Sequence, residues 1–293
     1  MTAQRHRRRY RPGLCPGPGS LLAGSLDERW RTFLRELARN RRRCTEPGIH
    51  DLRVATRRLI ATLDMVAAVL PGGRLRRMRR ELKKHLKAFS DLRDVHVQLL
   101  AVRAMLRAYP SVRRFHASLM TLERRLVRNA AAEIARVKIK VMQDVVVEWE
   151  SMLLAFFQEE AVQRAGGAVL LGTAGATFAR AVGCLQSISP ADARSIHRFR
   201  VAFKKFRYTI EAIQPLLDQV GKTEMKAMNA YQTAMGEIQD VEVLLASIRS
   251  FALRRGQPAA ISFLPVYQHL TTLRSARVEA FMKTAHHLLS FWW

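Results

Sequence analysis

The chain has 293 residues with 50 Lys and Arg against 24 Asp and Glu, a formal net charge of +26 and a pI near 11.4. With 48% apolar residues it can bury a sizeable core, which excludes a chain that is disordered throughout. A charge so far from zero opposes compaction, so we expect an anionic partner: nucleic acid, an anionic membrane surface or a polyanionic metabolite.

The amino-terminal segment, residues 1–20, is predicted to be a disordered tail rich in Arg, Pro and Gly. The segment after it is broken by Pro and Gly, so it does not resemble a cleaved signal. No apolar run approaches 18 residues, which argues against insertion in a membrane. The three cysteines form no CxxC pair, which argues against a disulfide framework and favours free thiols in the cytoplasm.

Residues 21–293 are predicted to be all helix, because apolar residues recur there at three- and four-residue spacing. Ser25-Leu-Asp-Glu28 is typical of a capping box that opens the first helix. Pro215 should kink its helix or mark the last turns. The predicted helices divide into two groups of four: 25–43, 47–71, 74–107 and 112–160, then 168–187, 191–220, 222–255 and 259–290.

The two groups are predicted to be copies of one unit, with repeat one at about 21–165 and repeat two at about 166–293. Residues 49–63 align with residues 196–210 at an offset of 147 positions, and Ile, His, Arg, Val, Ala and Thr recur at matched positions. Residues 94–97 match residues 240–243 at an offset of 146. An internal duplication of a helical unit explains both matches.

Each copy carries a basic stripe that begins with a histidine. At 100° per residue, His50, Arg53 and Arg57 share one face of a helix whose opposite face is apolar, with Arg58 at the edge. The second copy repeats the stripe on its own helix with His197, Arg200 and Lys204. Arg207 lies on the flank of this stripe and Lys205 at its edge.

The next helix of the first copy has a further ridge, Arg76, Arg80, Lys83 and Lys87, at spacings of i, i+4, i+7 and i+11. The second copy has a thinner equivalent, Lys222 and Lys226. Rows of like charge destabilise a helix unless an anion lies on them, and these rows contain almost no acid. The sequence therefore favours a polyanion-binding surface over an ordinary solvated face.

The charge is uneven between the halves, and this too leads to a prediction. Residues 1–150 hold 34 basic and 14 acidic residues, a net charge of +20, whereas residues 151–293 hold 16 and 10, a net charge of +6. We expect the first copy to contribute more of the binding energy.

Asp94 and Asp240 are expected to orient a basic side chain or to cap a turn. No metal or cofactor site is expected, because no carboxylate or thiol lies at ligand spacing from either stripe histidine.

The duplicated His-x-x-Arg-Val-x-x-Arg/Lys-Arg/Lys motif and the paired Asp-Val segments resemble the CHAD family, the conserved histidine α-helical domain, over about residues 20–290. The resemblance implies two four-helix-bundle repeats with pseudo-two-fold symmetry, a basic central groove that binds inorganic polyphosphate, and a location at polyphosphate granules. Carried over by position, the ligand-binding residues are His50, Arg53, Arg57, Arg58, Arg76, Arg80, Lys83, Lys87, His197, Arg200, Lys204, Lys205, Arg207, Lys222 and Lys226.

Two other functions are weighed against this one. Many relatives carry a fused triphosphatase domain with an ExExK motif, which does not occur here, so we expect a binding protein and no enzyme. A metal-dependent phosphohydrolase would also need carboxylate ligands that the motifs do not offer. Weak, sequence-independent nucleic-acid binding is the main alternative, although Phe199, Phe203 and Phe206 fall on the apolar face and are not placed to stack on bases.

Overall fold

The computed structural model describes residues 17–217, 219–254 and 261–292, which form nine α-helices and no strand. The all-α prediction is confirmed. The first half contains α1 (Pro18–Arg42), α2 (Glu46–Val69), α3 (Gly73–Met105), α4 (Arg113–Ala135) and α5 (Ile139–Phe156). The second half contains α6 (Glu160–Gln186), α7 (Ala193–Ile213), α8 (Lys222–Leu253) and α9 (Leu264–Thr284).

Side-chain hydrogen bonds cap the first turns of α2 and α7, and a proline follows the last turn of α7. The Thr45 hydroxyl accepts a hydrogen bond from the Gly48 amide at 3.1 Å, and the Asp192 carboxylate accepts one from the Arg194 amide at 2.9 Å. These side chains satisfy donors that a helix leaves free at its first turn. α7 ends at Ile213, and Pro215 lies in a short 3-10 turn, as expected of a proline that marks the last turns.

The start of α1 corrects two predictions. The helix begins at Pro18 and not at Ser25, so Ser25 lies inside the helix and forms no capping box. Proline fits the first helical turn because its missing amide hydrogen has no partner there in any helix. The helical region therefore starts at residue 18, three residues before its predicted start at residue 21. The rest of the predicted tail, apart from Gly17, lies outside the described residues.

The predicted helix 112–160 is also wrong in one respect. It is two helices, because α4 ends at Ala135 and α5 begins at Ile139. The first half thus has five helices and not four. The break has a packing cause: α4 lies against α3, whereas α5 lies against α1. By contrast, α3 runs without interruption from Gly73 to Met105.

Contacts between helices follow a similar order in the two halves. α1 packs on α2, α2 on α3 and α3 on α4, and in the second half α6 packs on α7, α7 on α8 and α8 on α9. The halves meet through α2 against α7 and α3 against α8. This order is what an internal duplication would produce, and the pseudo-two-fold symmetry stays a prediction.

The apolar residues form two cores, which set the position of the basic helices. The main core extends through both halves and includes Trp30, Phe89 and Phe203, all at most 1% exposed. A second core joins the carboxyl-terminal parts of α3 and α8 to α4 and α9. α6 is long and apolar enough to cross a membrane by length and composition alone, and in this fold it packs against α7, α2 and α1.

Candidate functional site

A cavity of about 590 Å³ lies where α2 and α3 face α7 and α8. Seven basic side chains line it, against two carboxylates, Asp94 and Asp240. Four of the seven come from the first half and three from the second: Arg53, Arg57, Arg58 and Arg93, and Arg200, Lys204 and Arg207. Both stripe histidines, His50 and His197, line it as well. The cavity therefore joins the two copies of the motif in one basic site.

Neutral side chains contribute to holding several of these groups in place. Arg53 Nη1 donates a hydrogen bond to Ser90 Oγ at 2.6 Å, and Arg207 Nε donates one to Gln232 Oε1 at 2.9 Å. His197 Nδ1 lies 2.6 Å from the side-chain oxygen of Gln239. A neutral partner orients a cation without cancelling its charge.

Four of the basic side chains form no ion pair within the part of the chain that the structure describes: Arg53, Arg57, Arg200 and Lys204. Arg53 is only 7% exposed, and Arg200 Nε is buried without a hydrogen-bond partner there. A buried charged donor that lacks an acceptor costs free energy. An anion in the cavity would supply the missing acceptors.

The remaining three basic residues of the cavity are partly neutralised. Arg93 forms an ion pair with Glu46 at 2.7 Å. Glu211 of α7 forms ion pairs with Arg58 at 2.5 Å and with Arg207 at 3.7 Å. Arg58 is therefore in part a structural residue, whereas the sequence predicted for it a role in ligand binding alone. Arg93 lines the cavity although no sequence pattern indicated it, because it belongs to neither stripe and reaches the cavity only through the packing of α3.

The electrostatic environment changes the protonation of the site. Desolvation, together with the nearby Arg57 and Arg200, lowers the pKa of Lys204 to about 6. Desolvation also lowers the pKa of Arg53 to about 10 and lowers that of His50. It raises the pKa of Asp94, an effect that the nearby Arg53 opposes. The cavity thus holds its basic groups at an electrostatic cost that a bound anion would relieve.

Asp94 and Asp240 occupy the middle of α3 and α8, so neither caps a turn. Both line the cavity; burial raises the pKa of each carboxyl, and the nearby Arg200 opposes this rise. Of the two expected roles, orientation of a basic side chain agrees with these positions. No three metal-ligating side chains come together in the described ranges, 17–217, 219–254 and 261–292.

The other predicted ligands lie outside the cavity, on extensions of its walls. Those that do not line it are Arg76, Arg80, Lys83, Lys87, Lys205, Lys222 and Lys226, and all seven are exposed. On α3 the ridge 76, 80, 83, 87 continues at helical spacing to Ser90 and Asp94, which line the cavity. On α8 the series 222, 226, 229, 233 continues in the same way to Asp240.

The aromatic residues of the second motif are directed away from the cavity. Phe199, Phe203 and Phe206 are completely buried, as the sequence predicted. Among the lining residues, the aromatic side chains are Tyr208 and the two histidines, and Tyr208 is only 6% exposed. Bases of a single strand would therefore find no exposed stacking platform among the lining residues.

Comparisons with known proteins agree with this architecture. The CHAD domain family profile matches residues 24–249. The crystal structure of the CHAD domain from the plant Ricinus communis superposes with a TM-score of 0.72 at 17% identity, covering 92% of each chain. PptA from Streptomyces chartreusis superposes with a TM-score of 0.68 at 20% identity, covering 94% of this chain and 100% of that one. No curated protein matches. Because the family profile covers most of its length, the chain belongs to the CHAD family.

Proposed function

We propose that this protein binds inorganic polyphosphate in the basic cavity, without catalysis. The observation that carries the proposal is the convergence of Arg53, Arg57, Arg200 and Lys204, which have no ion-pair partner in the described segments, on one cavity. Polyphosphate is a linear chain with about one charge on each unit. Arginine forks and a lysine point charge can bind it without reading a sequence.

The ridges extend the proposed site beyond the cavity. The α3 ridge spans about 16 Å from residue 76 to residue 87 at 1.5 Å per residue. A long anionic chain could follow this ridge to Ser90 and Asp94 and then enter the cavity. The α3 ridge carries more charge than the α8 ridge. The two halves of the chain contribute nearly equal numbers of basic side chains to the cavity itself. The predicted advantage of the first copy would therefore lie in the ridge.

A binding role agrees with the rest of the site and with the family. The charged residues are arranged to neutralise an anion, and the described residues offer no cluster of three metal ligands that a metal-dependent phosphohydrolase would use. The resemblance to the CHAD family implies polyphosphate as ligand, and we place the protein in the cytoplasm at polyphosphate granules. Its occurrence on granules can be tested by fluorescence microscopy of the tagged protein beside a polyphosphate stain.

Competition between polyphosphate and duplex DNA tests the proposed function. We expect polyphosphate to displace labelled DNA at a much lower concentration of phosphate units than DNA needs to displace labelled polyphosphate. We also expect affinity for polyphosphate to fall steeply between low and physiological salt. Equal competition by the two polymers would instead support the nucleic-acid alternative, and a salt-independent affinity would contradict an electrostatic site.

The pKa of Lys204 predicts that binding takes up a proton. With the pKa near 6, the amine is mostly neutral at pH 7 in the empty cavity, and a bound anion would raise the pKa and recharge it. Affinity should therefore fall as pH rises above about 6, by at most about tenfold per unit for one proton. The depressed pKa of His50 acts in the same direction.

Calorimetry at pH 7 in two buffers of different ionisation enthalpy measures this proton uptake directly. The matched variant Lys204→Met removes the titrating amine, and we expect it to lose most of the uptake. An equal uptake by the variant and the wild type would show that Lys204 is not the group that becomes protonated.

Removing the α3 ridge should affect long chains selectively. In a variant with Arg76, Arg80, Lys83 and Lys87 all changed to glutamine, we expect about tenfold or weaker binding of long-chain polyphosphate, because exposed charges each contribute little but act together. Binding of tripolyphosphate, which the cavity alone would hold, should change less than threefold. An equal loss for both ligands in parallel titrations would contradict separate roles for ridge and cavity.

A further inference from the structure

A second cavity, of about 740 Å³, opens at the junction of α3, α4 and α5 and shares no residue with the basic cavity. It exists because the chain turns at Arg136–Lys138 between two helices with different packing partners. α4 packs against α3, and α5 begins after the turn and packs against α1. The turn leaves a gap above α3. Its volume is in the range of small-molecule sites.

The floor of this junction cavity is apolar. Met78, Met142 and Val145 line it and are between 3% and 5% exposed, whereas Val141 stands at the rim with 56% of its surface exposed. Methionine side chains are flexible and polarizable, so they adapt to ligands of different shape. Such a floor fits an apolar body and would leave a purely charged chain without partners.

Basic side chains lie at the rim of the junction cavity, and most of them form ion pairs with glutamates. Lys84 lies 2.8 Å from Glu81, Arg136 lies 2.5 Å from Glu133, and Arg74 pairs with Glu148. Arg77 and Lys138 also line the cavity, and neither has an ion pair within the described residues. Two free cations beside two carboxylates suit a ligand with a single anionic group and disfavour a polyanion.

A buried histidine adds a polar contact to the junction cavity. His85 lines the cavity and is 7% exposed, and its Nδ1 has no hydrogen-bond partner among the described atoms. Glu133 Oε2 is 3.5 Å away, without hydrogen-bond geometry. A buried polar atom without a partner in a concave site can contact a ligand's polar group.

From these features we infer that the junction cavity binds a small amphipathic anion, a molecule with one sulfonate, carboxylate or phosphate group on an apolar body. The anionic group would lie between Arg77 and Lys138, and the apolar body over Met78, Met142 and Val145. This site is separate from the polyphosphate site, so either can fail without the other.

Two probes with the same aromatic body test this inference on the intact protein. The first, 8-anilinonaphthalene-1-sulfonate, carries an anionic group, and the second, N-phenyl-1-naphthylamine, is its uncharged counterpart. In fluorescence titrations we expect the sulfonate to bind saturably, with one molecule per chain, and more tightly than the neutral probe. Absence of saturable binding, or equal affinity for both probes, would overturn the proposal.

Variants locate the bound probe. Arg77→Gln with Lys138→Gln should weaken sulfonate binding about tenfold or more, because each exposed cation would donate a charge-assisted hydrogen bond. Val141→Glu should weaken it as well, by placing a carboxylate at the rim. All three positions are exposed, so we expect these variants to fold, and their thermal midpoints check this expectation.

Two controls separate the junction cavity from other basic surfaces. Arg113→Gln with Arg124→Gln, on the exposed face of α4, and Arg53→Gln with Arg200→Gln, in the basic cavity, should leave sulfonate binding within twofold of wild type. Tripolyphosphate should not displace the probe. Loss of binding in the Arg53/Arg200 variant, or displacement by tripolyphosphate, would place the probe in the basic cavity and refute the proposed second site.

Discussion

Changing Arg53 and Arg200 together to glutamate should weaken polyphosphate binding at least about 100-fold. The two arginines lie at equivalent positions of the two motifs and line the same cavity, where neither has an ion pair in the described chain. Each would donate charge-assisted hydrogen bonds to phosphate, at about 1.5–3 kcal/mol apiece, and every 1.4 kcal/mol is a factor of ten. The measurement is a titration with labelled polyphosphate, with helix content followed by circular dichroism.

A matched control separates this local effect from the change in net charge. Arg113→Glu with Arg124→Glu makes the same change in charge on the exposed face of α4 and should weaken binding less than tenfold. Because Arg53 is buried and bonded to Ser90, the milder pair Arg53→Gln with Arg200→Gln serves as a second test that keeps the hydrogen-bonding capacity. If both single reversals and the glutamine pair bind as tightly as wild type, the cavity is not the binding site.

Glu211→Gln should destabilise the fold by about 3 kcal/mol. The Glu211 carboxylate is 13% exposed and is the counter-charge for Arg29 of α1, Arg58 of α2 and Arg207 of α7, at 3.5, 2.5 and 3.7 Å. Removing one partner of a buried ion pair typically costs 3–5 kcal/mol, and the partial exposure of Arg58 reduces that figure. Chemical denaturation measures the loss in free energy of unfolding.

The same substitution should strengthen polyphosphate binding, because it releases Arg58 and Arg207 toward the cavity. Opposite changes in stability and affinity are the signature of a residue that neutralises the site without contacting the ligand. Glu279→Gln is the control: that glutamate is 71% exposed and, within the described residues, pairs with Lys283 on its own helix, so the free energy of unfolding should stay close to that of the wild type. Weaker binding by the Glu211 variant, despite a folded chain, would contradict this role.

Helical periodicity was sufficient to predict which basic residues of α2 and α7 share one helix face. The stripes of α2 and α7 follow from the fixed angle between successive residues, and eight of their members line the cavity, while Lys205 falls outside it. The ridges of α3 and α8 also have the predicted spacing. Their distance from the cavity could not be predicted, since it depends on how α3 and α8 cross their neighbours.

The sequence was less informative about features that depend on how the helices pack against one another. Arg93 belongs to no stripe, and the neutral side chains of Gln232 and Gln239 carry no charge pattern that could have indicated their role. The break between α4 and α5 has no Gly or Pro to mark it, because it arises from the change of packing partner from α3 to α1. Likewise, the low pKa of Lys204 depends on desolvation among arginines of both halves, which one helix cannot reveal.

A crystal structure of the complex with a polyphosphate of defined length tests the central claim most directly. The account predicts phosphate groups within hydrogen-bond distance of Arg53, Arg57, Arg200 and Lys204, with further phosphates along the α3 ridge for a longer chain. A complex in which polyphosphate lies only on exposed surfaces, with the cavity between the two motifs free of phosphate, would contradict it.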